Sequence, residues 1–237
     1  MTIRPEVLPF VGGIVLVFGL LALILRVRAT SAKWVAWICV LPAVVGVAYL
    51  LYFFRDPERH APTDASAVVA GADGRVTSVT RLREEQFLKV DCVRISIFLS
   101  LFDVHVNRAP ISGKSTFLGY FPGKRLFTFQ EKSSEVNQHN KILIEGEHTR
   151  CLVNQIVGPV TRRVVYWPPH DQPTQVAMGE RIGMMKFGSR LDIYLPADSV
   201  DVVARPGDTV RAGETIIALG KGGARCTSPC SGPVPRR

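Results

Sequence analysis

Three short stretches hold residue types that could do chemistry. "GADGRV" sets Asp73 in a tight turn, "FLSLFDVHVNRAP" sets His105 just after an apolar run, and "KFGSR" sets Ser189 behind Gly188 and ahead of another apolar run. Each has an ordinary explanation: Asp-Gly is a common hairpin turn, a histidine between valines is often a satisfied core residue, and Gly-Ser is a common turn. Together they are an acid, a base and a hydroxyl. That set ordinarily means acyl transfer, in which the histidine removes the serine proton and the acid fixes the imidazole tautomer. A hydrolase fits poorly, because Ser189 lies in Phe-Gly-Ser-Arg and not in a Gly-x-Ser-x-Gly elbow. What the pair offers is intramolecular: Gly188 presents its carbonyl to the neighbouring hydroxyl with no side chain in the way. Glycine can also take the strained backbone geometry that such an attack requires.

The elements that must hold these residues read as strands. "VRISIFLS", "KSTFLGYF", "KRLFTF", "HTRCLVNQIVG" and "RRVVYW" follow one another at short spacing, with Gly, Pro and Asn clusters between them. Helix-period stretches are scarce, so a mainly β domain with few short helices is expected. "VVARPGDTVRAGETIIALG" reads as two strands about a Pro-Gly-Asp turn, a pattern shared with domains that carry biotin or lipoate, and Met184-Met185-Lys186 resembles the hairpin on which biotin is mounted. In a carrier, however, the Gly-Asp hairpin precedes the modified lysine, whereas here it follows. A membrane-tethered carrier or scaffold module therefore stands as the rival reading.

Ahead of the strands lie two runs without a charged residue, "LPFVGGIVLVFGLLALIL" from Leu8 to Leu25 and "WVAWICVLPAVVGVAYLLYFF" from Trp34 to Phe54. Each is about the 20 residues needed to cross a hydrocarbon core. No convincing cleavage site separates them, so the expectation is an uncleaved N-terminal transmembrane helical hairpin over residues 1–54. Of the formal charge of +9, residues 1–54 hold four basic and one acidic side chain, or +3, which leaves +6 on the remainder. A positive domain beside a bilayer is drawn to anionic head groups. The basic residues form no stripe with interleaved aromatics, so no nucleic acid is expected as partner. Charges on the two sides of the helices cancel and leave orientation open. The five cysteines form no disulfide framework, which suits a reducing compartment, and Cys226 and Cys230 lack a second ligand pair, so no metal is expected. Arg55, Asp56 and Arg59 read as juxtamembrane anchors.

The chain resembles the phosphatidylserine decarboxylases of the short, pyruvoyl-dependent bacterial type. The likeness runs from about Phe53 to Leu219 through "FFRDPER", "ADGRV", "FLSLFDVHVNRAP", "EKSSEVNQHN" and "GERIGMMKFGSRLDIYLP", in that order. It implies that Ser189, deprotonated by His105 with Asp73 behind it, attacks the carbonyl of Gly188. β-Elimination would then leave a β chain of residues 1–188 and an α chain of residues 189–237 that begins with a covalent pyruvoyl cofactor derived from Ser189. It further implies a self-processing domain over residues 55–225; the tail at 226–237 matches nothing in the family, and its composition reads as disordered. The substrate would be phosphatidylserine in an anionic membrane, bound through its amine to the ketone and released as phosphatidylethanolamine. The location would be the cell's inner membrane with the domain on the cytoplasmic side, and a homo-oligomer is compatible with the pattern. Long-type relatives have a second histidine where this chain reads Val106-Asn107-Arg108, so no role transfers there. Arg108 is the candidate to hold the substrate's carboxylate or phosphate.

Overall fold

A computed structural model describes residues 1–28, 32–124, 126–128, 132–158, 164–186 and 188–221. The tail with Cys226 and Cys230, and Phe187 within the Gly-Ser motif, lie outside the described residues. Two helices come first, α1 (Leu8–Arg28) and α2 (Ala32–Phe53), the second with Pro42 inside. Their sequences are apolar on every side, a pattern that fits either a protein core or lipid. Core is ruled out for α1, because Val15, Leu16, Val17, Leu23 and Ile24 are all more than half exposed. Among the described residues one helix, Pro5–Arg26, is long and apolar enough to cross a membrane, and Trp37–Phe53 forms a shorter apolar stretch. The helices are joined to the rest of the molecule at one end, where Val7, Leu50, Phe53 and Phe54 form a buried cluster with Met184. Strand β1 (Thr2–Ile3) pairs with β2 (Arg55–Asp56) just beyond it.

The remainder is β-sheet. It comprises β3 (Ala67–Val69), β4 (Gly74–Glu84), β5 (Val90–Leu99), β6 (Val106–Arg108), β7 (Gly113–Phe121), β8 (His139–Glu145) and β9 (Arg150–Val157). These are followed by β10 (Val164–Tyr166), β11 (Thr174–Val176), β12 (Arg181–Met185), β13 (Ser189–Pro196), β14 (Val200–Val202), β15 (Thr209–Val210) and β16 (Ile216–Gly220). An eight-stranded sheet runs β11-β7-β8-β9-β13-β5-β4-β15, and two three-stranded sheets run β10-β12-β6 and β14-β16-β3. A four-residue helix, α3 (Ser133–Val136), lies between β7 and β8.

Alternation along the strands sorts the large sheet into two faces. Leu191, Ile193 and Leu195 of β13 join Ile95 and Ile97 of β5, Val153 of β9 and Ile142 of β8 in one core with Val68, Ile182 and Ile217 from the small sheets. The other face of β13 carries Arg190, Asp192 and Tyr194. Two connections then hop between the same pair of sheets. β5 and β13 are neighbours in the large sheet, while β6 and β12 are neighbours in a small one. The β5-to-β6 hop carries His105, and the β12-to-β13 hop carries Gly188.

One expected strand is absent. The described residues of "KRLFTF" hold a single bridge at Lys124 and no strand. Here the Asn137 side chain replaces a neighbouring backbone: its Oδ1 accepts from Leu126 N at 2.9 Å and its Nδ2 donates to Leu126 O at 2.7 Å. The expected run of juxtamembrane anchors also differs. Asp56 is 1% exposed and bonds the half-buried Arg181 at 2.7 Å, so an ion pair with a buried carboxylate ties β2 to β12.

Candidate active site

Ser189 opens β13, opposite Leu99 of β5 and Val157 of β9, and is fully buried. Its Oγ has no hydrogen-bond partner. A buried hydroxyl left unpaired costs roughly 1–3 kcal/mol, so such an atom calls for a reason other than stability. The residue before it supplies one. Gly188 has φ of 73°, in the left-handed region that other residues enter only with strain, although a Cβ there would meet nothing within 4 Å. The glycine is therefore required by torsion and not by crowding. Its carbonyl is closely held: Thr128 Oγ1 donates to it at 3.4 Å, and a Cβ on Gly158 would come within 2.7 Å of the same oxygen. A hydroxyl donor at this carbonyl stands where negative charge would develop during attack.

His105 is brought to the same end of the core. Its carbonyl accepts from Met185 N at 3.1 Å, four residues before Ser189. Its Nδ1 lies 3.0 Å from the carbonyl of Asp103. A carbonyl can only accept, so Nδ1 carries the hydrogen and Nε2 keeps its lone pair. Nε2 is buried and unpartnered. The ring packs against Phe53, the last residue of α2, with centroids 4.3 Å apart. Burial lowers the pKa from 6.5 to about 4, against the opposing effects of the Asp103 carbonyl and carboxylate. The imidazole is thus a neutral base at physiological pH.

Asp73 lies at the start of β4, whose Arg75 pairs with Phe98 of β5. Its carboxylate accepts from Ala212 N at 2.8 Å and from Arg59 Nη2 at 2.8 Å. Burial raises its pKa, partly offset by the Ala212 amide and the Arg59 cation. The hydrogen bond that fixes the tautomer of His105 therefore comes from the backbone at Asp103, while Asp73 is engaged by Arg59. Arg59 in turn reaches Glu214 at 2.9 Å. Arg108 is 4% exposed and donates to Gly179 O at 2.8 Å, Pro57 O at 2.9 Å and Asp56 at 3.4 Å.

Sequence reasoning missed a chain of buried amides. Asn140 Nδ2 donates to Gln155 Oε1 at 3.3 Å, and Gln155 Nε2 donates to Asn107 Oδ1 at 2.8 Å. Asn107 Nδ2 has no partner and lies two residues beyond His105. Ser189 Oγ at the start of β13, His105 Nε2 on the β5-to-β6 hop and Asn107 Nδ2 on β6 are thus three buried polar atoms without partners. Amides have no motif of their own. The available signal was their placement in strands that otherwise alternate apolar residues.

The opposite face of β13 holds a second missed feature. Arg190 Nε bonds Asp192 Oδ1 at 2.8 Å and Arg190 Nη2 donates to Ser96 Oγ at 2.6 Å, with Arg190 1% and Asp192 0% exposed. Removing one partner of a buried pair strands the other charge. Asp192→Ala is expected to destabilise the protein by about 3–5 kcal/mol, read as a lower urea midpoint at unchanged slope. Asp192→Asn, which keeps an acceptor for Arg190, is expected to lose less.

Comparison with known proteins identifies the family. The family model described as phosphatidylserine decarboxylase matches residues 47–218. A phosphatidylserine decarboxylase proenzyme of Symbiobacterium thermophilum is 41% identical over 213 residues, covering 88% of this chain and 91% of the relative. Proteins of the same name from Carboxydothermus hydrogenoformans and Desulfotalea psychrophila are 42% and 40% identical, each over 73% of this chain and over 81% and 80% of their own lengths. A family match from the end of α2 to β16, over the strands that present Ser189 and His105, shows that the chain belongs to the phosphatidylserine decarboxylase family of enzymes.

Proposed function

We propose that the chain is a precursor that cuts itself between Gly188 and Ser189 and then decarboxylates phosphatidylserine to phosphatidylethanolamine at a membrane surface. The observation that carries this reading is the buried, unpartnered Ser189 Oγ beside the left-handed Gly188, whose carbonyl is held by Thr128. His105 Nε2 takes the hydroxyl proton, and Ser189 Oγ attacks the Gly188 carbonyl carbon. The peptide nitrogen is expelled as an amine and the amide becomes an ester. Loss of the Ser189 α-proton then expels the Gly188 carboxylate as a new C-terminus. The dehydroalanine at position 189 tautomerises, and water releases ammonia to leave a pyruvoyl group.

The residues around Ser189 fit that group. Its strand is paired on both sides, by β5 and β9, and Asn107, two residues beyond His105, holds a buried donor without a partner. A pyruvoyl ketone provides an electron sink when the carboxylate of an amino acid is lost. His105, already neutral and desolvated, is the group placed to hold and return a proton in turnover. Asp73 adds a carboxylate at the same end of the sheet, where Arg59 holds it. For Arg108 to hold a substrate carboxylate or phosphate, it would have to exchange one of its bonds to Gly179, Pro57 or Asp56.

The exposed apolar surfaces of α1 and α2 support a helical pair in the bilayer; the cytoplasmic face of the inner membrane is where the family resemblance puts the β domain. Mass spectrometry of the purified protein tests the proposal. Two chains, 1–188 and 189–237, with a blocked α-chain terminus are expected; an intact chain with an adduct on Lys186 would favour the carrier reading.

A further inference from the structure

The turn that precedes His105 is built to stay rigid. Ser100 N and Oγ both donate to Asp103 Oδ2, at 2.8 and 2.6 Å, and Asp103 N donates back to Ser100 O at 3.1 Å. Held at its tip are Leu101 and Phe102, 45% and 67% exposed. Among the described residues beyond α2, they are the one pair of large exposed apolar side chains adjacent in sequence. A rigid turn that presents a leucine and a phenylalanine to water calls for an apolar partner.

The neighbouring helix indicates which partner. Tyr49 Oη donates to Leu101 O at 3.3 Å, Tyr52 Oη donates to Phe102 O at 3.2 Å, and Arg55 Nη2 donates to Phe102 O at 2.7 Å. The turn is therefore fastened to the last turns of α2, on which Val44, Val45 and Leu51 are exposed while Leu50 and Phe53 are buried. Two tyrosines and an arginine at this level, with Arg55 3.8 Å over the Tyr52 ring, suit the boundary between acyl chains and head groups. The depth follows from these contacts. Phe53 touches His105, and the residues that hold the turn, Tyr49, Tyr52 and Arg55, lie on either side of Phe53, so the turn and His105 share the level of the end of α2.

We infer that Leu101 and Phe102 form a wedge that enters the same bilayer leaflet as α2, which sets His105, beside the turn, at the level of the phospholipid head groups. This rests on the reading of phosphatidylserine as substrate and adds how the enzyme meets it. A wedge parts neighbouring lipids beside the base and lets the head group reach the interior without extraction of its acyl chains. Asp103 joins the two functions, because its side chain closes the turn and its carbonyl orients His105.

The test uses the full chain reconstituted in phosphatidylcholine vesicles containing phosphatidylserine. In Phe102→Trp, the emission added to that of Trp34, Trp37 and Trp167 should be blue-shifted and quenched by lipids brominated on their acyl chains. In Leu101→Asp/Phe102→Asp, the ratio of the rate on vesicles to the rate on detergent-dispersed phosphatidylserine should fall about tenfold, as expected when two apolar contacts with lipid are lost. Self-cleavage of that variant reports that it has folded; should it not fold, the Phe102→Trp measurement decides alone. An added indole that emits as in water and escapes quenching overturns the wedge. So does an unchanged rate ratio, or a change in sedimentation that reveals the pair as a contact between copies of the chain. If the indole is quenched but the unmodified protein forms no phosphatidylethanolamine, the wedge stands and the substrate reading fails.

Discussion

Replacing Ser189 by alanine is expected to leave one uncut polypeptide of 237 residues with no decarboxylase activity, and with folded stability unchanged or slightly increased. The loss follows from chemistry, since without Oγ there is no nucleophile for the Gly188 carbonyl and no precursor of the ketone. The stability follows from packing: Ser189 Oγ makes no hydrogen bond, so its removal breaks nothing and relieves a buried polar atom of its desolvation cost. Intact mass, activity on dispersed lipid and urea unfolding read the three outcomes separately. Normal cleavage in this variant would refute the proposed maturation. A threonine could still attack but would leave a bulkier ketoacyl group.

His105→Ala should accumulate uncut precursor, with self-cleavage slowed by about 10²–10⁴-fold, the usual contribution of a positioned base. The pH dependence is the sharper measurement. With a folded pKa of about 4, the base remains neutral well below pH 6.5, so the cleavage rate should be level from about pH 5 to 8 and fall only below that range. Phe53→Ala admits water to the ring, which should move the falling limb upward towards pH 6.5. Stability follows the same group with a definite sign. Between pH 4 and 6.5 the unfolded chain binds a proton that the folded chain refuses, so stability rises with pH across that window. The contribution, about 3 kcal/mol, is complete above pH 6.5 and lost as pH falls towards 4. Urea midpoints of Ser189→Ala at pH 5 and 7, with and without His105→Gln, check it: the pH difference should shrink when the histidine is absent. A cleavage profile that turns at pH 6.5 in the unmodified chain would show that the imidazole is not shielded as the Phe53 contact indicates.

These contacts also show which parts of the molecule were legible in the sequence. The apolar runs of α1 and α2 and the β-rich runs are local patterns, and local patterns survive folding. The types of the residues proposed to react were legible for the same reason, since Gly188-Ser189 and His105 are named by short local motifs. Which group orients His105 was not, because its partner is the backbone carbonyl of Asp103, and every residue has such a carbonyl. Asp73 could be seen as an acid at a strand end, but its engagement with Arg59 depends on a chain path over residues 55–59 that charge counting read as surface anchors. "KRLFTF" alternates like a strand, yet Asn137 satisfies Leu126 in place of a neighbouring strand. The amides of Asn107, Asn140 and Gln155 meet only when β6, β8 and β9 are assembled.

Strand β13 lies near the middle of the large sheet, paired with β9 on one side and β5 on the other, and begins at the residue where the chain is proposed to break. The downstream fragment also pairs β15 with β4 and β16 with β3. Cutting the chain there would free no piece, because the new end is interleaved with strands of the other fragment. It would, however, change what unfolding means. The precursor returns from a denatured state as one chain, at a rate independent of concentration, whereas the cut enzyme must first bring two polypeptides together, so its recovery depends on their concentration. Maturation thus resembles a ratchet: the connection that guided folding is spent once the fold exists, and the working enzyme persists by not coming apart.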